Sequence, residues 1–558
     1  MNTTQIIENL LKLSAGIGIY LIAFKIISSN LEAVSSDGLK KVFTRISESR
    51  IVGILIGALA TVLIQSSSAV TVMTIGFVNA GIMSLRQAAT IIFGGEIGTT
   101  ISGQIVALGL FDSDFVSLNT IFSSFAGLGI IVSSLAKGDN GKKVGQIISG
   151  FGMLFCGLNM MSSSMSSFAQ LEELRLFLAS VNSGMLLIVA GALITAIIHS
   201  SAAMTSIAIT MVATGLISLE QGIYITLGAN VGTCFTGLMA AMSSNTNSKR
   251  TSLIQLIFNT GGALIVYVAD SIVKSVSGGA MSTGIIFSRM FSAPHVQLAM
   301  FHTIFNIVSV IVVIPLTDLL VNLSVRLIPD KDDEIEGERF FFVDENMLKS
   351  PSLAVSQVKK EIVNMAAIAM KNFNASIRML TTQDFSNLEE FQRNERELNF
   401  LNQKLVEYVV KLSGSGSLSR KDERFLATTH RAIADIERIG DYSENITEYA
   451  GNLKKQEASL SATALKEIDE LIKIVNTLYE KTMNCYETNS KIAFMSAMKL
   501  EDEIDALTRQ MAQNHITRLN NGQCTAEAGA QFIKLANDVE RIGDHLINII
   551  DHDFKTSH

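Results

Sequence analysis

Residues 14–100 of this chain recur at 148–234 without a gap, every position displaced by 134, and both copies are predominantly apolar. Between Gly57–Thr100 and Gly191–Cys234, 19 of 44 aligned positions are identical, among them Ser66/Ser200, Ser67/Ser201, Gly94/Gly228 and Gly98/Gly232. A chain so built folds as two copies of one unit that bury their faces against each other. Apolar segments interrupted by Ser and Gly at matching places are the pattern of a secondary transporter whose site lies between two repeats.

Composition divides the chain. Residues 1–329 are rich in Ile, Leu, Val, Ala, Gly and Met. After a polar linker at 330–350, which opens with Asp-Lys-Asp-Asp-Glu, residues 351–558 are charged and nearly free of glycine. The net charge of −7 offers no basic face, which argues against nucleic acid as a partner. Cys156, Cys234, Cys485 and Cys524 have no paired spacing, so neither a disulfide framework nor a cysteine zinc site is expected. The first apolar run, Ile6 to Ile27, reads as a retained span and not a leader.

A hydrocarbon slab of about 30 Å takes about 20 apolar residues in helix. Runs near 9–29, 86–110, 118–136, 143–165, 219–243, 251–273 and 296–323 meet that length. Two others, 51–80 and 185–214, are split by Gln65-Ser-Ser-Ser68 and His199-Ser-Ser201 into arms too short to cross, and read as re-entrant hairpins. Loop charges then fall eleven to three: Lys40, Lys41, Arg45, Arg50, Arg86, Lys137, Lys142, Lys143, Lys249, Arg250 and Arg326 on one side, Arg175, Lys274 and Arg289 on the other. The positive-inside rule puts the N-terminus outside and the charged half in the cytoplasm. It also makes the hairpins enter from opposite sides, so repeat one (10–136) and repeat two (144–273) are inverted, with a final span at 296–323.

The expected fold is all-α: a polytopic membrane protein of two inverted repeats, each with a re-entrant hairpin and a broken helix. The helix breaks are expected at Gly94-Gly-Glu-Ile-Gly-Thr-Thr100 and Gly228-Ala-Asn-Val-Gly-Thr233. Backbone that leaves the helix at membrane depth must face protein or a watery cavity. A half-helix starting at a serine run offers free N–H groups, a positive dipole end and hydroxyls, a set suited to a tetrahedral oxyanion. Carbonyls of the preceding arm and the hydroxyls of Thr99, Thr100 and Thr233 suit a small hard cation such as sodium. An anion site beside a cation site implies symport.

The paired Gln/His-Ser-Ser hairpins, each followed by Gly-x-(Glu/Asn)-x-Gly-Thr, resemble the sodium/phosphate cotransporter family over about residues 10–325. The resemblance implies inorganic phosphate as substrate, sodium as coupling ion, and Gln65, Ser66, Ser67, Ser68, Ser200 and Ser201 as site residues, with His199 standing where the family has Gln. Glu96 stands where Asn is usual, as at Asn230 in the second repeat. A carboxylate would repel phosphate, so Glu96 is expected to hold a cation or carry a proton, and Asn230 joins the cation set. His199 adds a group that titrates near neutral pH or replaces the amide as a hydrogen-bond partner. Arg289 and His302 read as structural.

In the charged half, helical periodicity defines six stretches near 353–379, 385–412, 420–453, 461–486, 489–518 and 526–551, whose simplest packing is two three-helix bundles. Ala434-Asp-Ile-Glu-Arg-Ile-Gly-Asp441 returns as Asn537-Asp-Val-Glu-Arg-Ile-Gly-Asp544, one copy per bundle. Glu437 with Asp441, and Glu540 with Asp544, share a helix face; with Glu501 and Asp505 they form an oxygen set for a divalent metal, or they pair with Arg438 and Arg541. The motif resembles the PhoU family over about 350–552, which implies a metal-binding surface and a regulatory role in phosphate uptake. Asn399 stands opposite Asp505, which implies a weaker first-bundle site.

The reading is sodium-coupled phosphate transport across the cytoplasmic membrane with a fused regulator. Another small oxyanion, a phosphate exporter and a phosphate sensor are the alternatives. An anchored hydrolase is disfavoured because no nucleophile and base pair stands out. Expected partners are inorganic phosphate, sodium and the lipid bilayer; a homodimer is compatible with the sequence.

Overall fold

The computed structural model describes residues 3–44, 49–79, 83–110, 118–242, 244–329, 340–349, 351–415 and 418–557. Most of the linker expected at 330–350 lies outside these residues. The described chain is helical, and it divides into two compact units, Met1–Asp332 and Asp333–His558.

The first unit opens with α1 (Thr3–Thr44), followed by a hairpin of α2 (Arg50–Ile64) and α3 (Ser67–Asn79), then α4 (Leu85–Gly109) and α5 (Leu118–Leu135). The second copy runs α6 (Asp139–Ala169), α7 (Glu172–Ser180), a hairpin of α8 (Gly184–Ile198) and α9 (Ser201–Ala213), α10 (Leu219–Met242) and α11 (Thr246–Val276). A short α12 (Thr283–Met290) leads to α13 (Pro294–Val313), a 3₁₀ turn at Ile314–Leu316 that contains Pro315, and α14 (Thr317–Leu327). Among the described residues seven helical segments are long and apolar enough to cross a membrane, and α7–α8, bent by 106°, is an eighth candidate if taken as one span.

The 134-residue displacement survives into the backbone: α8 and α9 begin and end 134 residues after α2 and α3. The same capping box opens α4 and α10, in which Ser84 exchanges bonds with Gln87 and Ser218 with Gln221. Neither Gly94–Thr100 nor Gly228–Thr233 is a break. Both lie inside the unbroken helices α4 and α10, which corrects the expectation of a broken helix in each repeat. The glycines serve packing instead. A Cβ on Gly57 would strike the Ile91 carbonyl and one on Gly94 the Ile54 carbonyl; Gly191 meets Ile225 and Gly228 meets Ile188 in the same way. Each hairpin's first arm therefore lies backbone to backbone on its long helix, as small residues allow in membranes.

At one end of the first unit Arg50 and Arg86 share Asp318, at 2.7 and 2.8 Å. Elsewhere Lys274 bridges Glu220 and buried Asp270, which also accepts from Tyr224 at 2.5 Å.

In the second unit α15 (Pro351–Thr382), α16 (Leu388–Ser413) and α17 (Arg420–Lys455) pack on one another, as do α18 (Ala462–Thr488), α19 (Lys491–Asn520) and α20 (Ala526–Ser557), and α17 joins α20. Glu361 is fully buried on α15. Its Oε2 accepts the amides of Phe341, Phe342 and Val343 at 2.9, 2.6 and 3.0 Å, which pins the incoming chain to the bundle.

Candidate functional site

Each hairpin turns on one residue in the left-handed region: Gln65 at φ 56° and His199 at φ 58°. Their amides close the first arms on Thr61 and Thr195 at 2.7 and 2.8 Å. A side-chain-bearing residue pays about 1–2 kcal/mol for that conformation, so the surrounding packing holds both turns in place. The next residue caps the second arm. Ser66 Oγ accepts the amide of Ala69, and Ser200 Oγ accepts that of Ala203, both at 3.2 Å.

Both turns face one small cavity, lined by Thr61, Gln65, Ser66, Ser67, Ser68, Thr99, Ser102, His199, Ser200, Ser201 and Ala202. The N-terminal ends of α3 and α9 thus converge, and the lining carries hydroxyls, an amide and an imidazole but no Lys or Arg. The two turn side chains are held alike: Ser102 Oγ donates to Gln65 Oε1 at 3.1 Å, and Thr236 Oγ1 lies 3.2 Å from His199 Nδ1. Ser102 and Thr236 are themselves 134 residues apart, a pairing the sequence reading missed although the displacement was already visible.

Of the expected cation residues, Thr99 lines this cavity and the others do not. Thr100 Oγ1 bonds to Ile97 O at 2.8 Å and Thr233 Oγ1 to Ala229 O at 3.0 Å, both within their own helices. Glu96 and Asn230 point elsewhere. Glu96 Oε1 accepts from Asn259 at 2.9 Å and from Gln255 at 3.3 Å, both on α11. Asn230 bonds to Asn306 at 3.1 Å and lies 3.3 Å from His302 Nε2, both on α13. The four partners form a second repeated motif, Gln255-x-Ile-Phe-Asn259 and His302-x-Ile-Phe-Asn306, displaced by 302 − 255 = 47 residues. It falls outside the 134-residue register, so the displacement between the copies does not reveal it. His302, read as structural, is fully buried within it.

A larger cavity of about 430 Å³ lies against Arg175, Asn182, Ser218, Glu220, Gln221 and Tyr224. It involves no equivalent pair of the two repeats, so the smaller cavity, where both copies meet, is the better candidate site.

In the second unit the carboxylates expected to hold a divalent metal are near one another but are not arranged as a metal centre. Among the described residues no group of three His, Cys, Asp or Glu side chains is placed to hold an ion. Asp441 pairs with Arg438 and Asp544 with Arg541, each at 3.2 Å, and Asp505 lies 4.0 Å from Arg509. Burial raises the pKa of Glu437 and of Glu501, with Asp441 adding to the first and Asp505 and Asp544 to the second. Glu540 adds to the field on Glu501. A further member is Glu395, pushed up to about 7 by burial and then by Glu444, Asp441 and Glu437. Its signal was present: Glu395-x-Glu-Leu-Asn399 matches Glu501-x-Glu-Ile-Asp505.

A helical membrane unit built from two copies, meeting at a hydroxyl-lined cavity and joined to a helical-bundle unit, defines a multi-span carrier with a fused soluble module. The chain belongs to the Na+/Pi-cotransporter family, whose model matches residues 19–163 and 157–292, and it carries a PhoU domain, matched at 362–450 and 468–552. It is a phosphate transport protein. A relative in Escherichia coli K12 named "Putative inorganic phosphate export protein YjbB" is 22% identical over 96% of this chain and 95% of its own length. The uncharacterized protein YqeW of Bacillus subtilis is 30% identical over 50% of this chain and 84% of its own. A Thermotoga maritima protein named phosphate-specific transport system accessory protein PhoU homolog 1 is 25% identical over 34% of this chain and 82% of its own. No solved structure matches.

Proposed function

We propose that the chain moves inorganic phosphate together with sodium through the cavity between the two hairpins, and that the PhoU domain regulates this flux. The observation that carries the reading is the convergence of two capped helix N-termini on one hydroxyl-lined space. Amide and hydroxyl donors on both sides replace the water around a phosphate without a fixed cation, so its charge is met by dipoles and by the co-transported ion. Ser66, Ser67, Ser68, Ser200 and Ser201, with Gln65 and His199, are the phosphate residues in this reading; Thr99 serves the cation from the same wall.

A carrier of this kind runs down the summed gradients. The relative named for export makes net efflux the second direction to test, and the family description makes sodium the coupling ion to test first. In proteoliposomes, an inward sodium gradient drives labelled phosphate accumulation and a reversed gradient drives efflux. Ser67→Ala and Ser201→Ala each remove a donor worth about 1–3 kcal/mol, so phosphate affinity falls roughly 10- to 100-fold. Equal competition by sulfate or a small carboxylate would reassign the substrate to another oxyanion, and binding without flux would make the protein a sensor.

A further inference from the structure

Two buried polar clusters lie apart from the hairpin cavity and are related by the duplication. The first holds Glu96, Thr71, Gln255 and Asn259, with Gly237 against it. The second holds Asn230, Thr205, His302 and Asn306, with Gly103 against it. Thr71/Thr205, Glu96/Asn230 and Gly103/Gly237 are each 134 residues apart, and Gln255/His302 and Asn259/Asn306 are each 47 apart. The clusters trade glycines: the first takes Gly237 from the second copy, and the second takes Gly103 from the first.

Only the first cluster carries a carboxyl group. Glu96 is 2% exposed, and its Oε1 accepts from the neutral amides of Gln255 and Asn259. A carboxylate buried among neutral groups at membrane depth calls for a positive partner. Gln255 Nε2 stands between Thr71 Oγ1 and Glu96 Oε1, 3.3 Å from each. Both contacts are longer than the usual 2.9–3.0 Å. The amide's own Oε1 is fully buried with no hydrogen-bond partner. It lies against Gly237, where an added Cβ would come within 2.9 Å of it and 3.2 Å of Thr71 Cγ2, so a larger residue there would displace the amide. Half a turn of the amide exchanges Nε2 for Oε1 and leaves carboxylate, hydroxyl and carbonyl oxygens around one point. That donor set suits a hard monovalent cation, whose single charge neutralises Glu96.

We propose that Glu96, Gln255 and Thr71 bind one sodium ion between them, with Gly237 leaving the Gln255 amide room to turn, at a site separate from the phosphate cavity. Asn259 is a positioning residue that holds the carboxylate. The counterpart cluster has Asn230 and His302 in place of Glu96 and Gln255, and binds none. The inference deepens the sodium coupling proposed above by naming its ligands.

The test uses the purified full-length protein without phosphate. Its thermal midpoint is followed as sodium chloride replaces choline chloride at constant ionic strength and pH 7.5, with potassium chloride as control. The wild type is expected to show a saturable, sodium-selective rise. Glu96→Gln, Gln255→Leu and Gly237→Ala weaken the apparent sodium affinity tenfold or more, and Thr71→Val, which removes one oxygen while keeping the shape, weakens it less. Should Glu96→Gln fail to fold, Thr71→Val and Gly237→Ala carry the test. An unchanged sodium response in the variants that fold overturns the proposal, as does a response to pH instead of sodium that Glu96→Gln abolishes, which would make Glu96 a proton carrier. Binding is read without phosphate, so its loss is distinct from failure of the transport reading, which flux alone reports.

Discussion

Glycine in this chain acts through what it omits. Gly57 and Gly94 sit where α2 and α4 touch through their backbones, and a Cβ on either meets a carbonyl that cannot move aside. Gly18 and Gly127, in α1 and α5, have open space around the same position. Gly57→Ala and Gly94→Ala are therefore expected to cost at least about 1–3 kcal/mol by overpacking. Gly18→Ala and Gly127→Ala should be neutral or slightly stabilising, since Ala is the better helix former. Thermal midpoints of the four purified variants check the contrast, and equal effects would refute it. The sequence shows where these glycines stand but not which way they act. Gly94-x-x-x-Gly98 and Gly228-x-x-x-Gly232 read as helix breaks by analogy with unwound transporter segments, yet without water the helix keeps its own hydrogen bonds and the glycines become contact points. The polar side chains were legible as residue types: Glu96 stood out as a buried charge, while its partners Gln255 and Asn259 did not, because ordinary helical spacing conceals which face meets which neighbour.

The elements themselves were largely legible. Hairpin turns at Gln65 and His199, seven long apolar helices and six amphipathic helices all follow from periodicity and interruption. What periodicity cannot supply is the electrostatic state of a face once helices pack. On α16, α17 and the facing helices, acids gather more densely than the Arg438 and Arg541 pairs neutralise, and Glu395 feels burial first and then Glu444, Asp441 and Glu437. Its pKa is raised to about 7 in the folded bundle from an ordinary 4.5, so the folded state binds more protons than the unfolded one between those values. Stability from this group is complete below about 4.5 and is lost as pH rises toward about 7. The thermal midpoint of the PhoU domain in the full chain should fall over that interval, and Glu395→Gln should flatten the fall. A midpoint that rises over the interval, or a slope that Glu395→Gln leaves intact, would show that other groups govern it.

At the scale of the whole molecule, duplication gives two similar halves and a few substitutions make them unequal: Gln65 against His199 and Glu96 against Asn230. A carrier with inverted copies must expose its cavity to each side in turn, so a chemical difference between the halves also becomes a difference between the two faces of the membrane. That consequence holds only if the copies are inserted in opposite directions, which the loop charges favour by eleven to three. Two positions decide it. Gly138, between α5 and α6, has open space at its Cβ, and Ser180 is exposed at the end of α7. In a background lacking the four natural cysteines, Gly138→Cys should react with a membrane-impermeant thiol reagent only after cells are opened, and Ser180→Cys should react in intact cells. These sites flank α6 and α7 and report opposite faces if α6 crosses once. Labelling of both from the same side would remove the inversion, and with it the reason for the two hairpins to meet in mid-membrane.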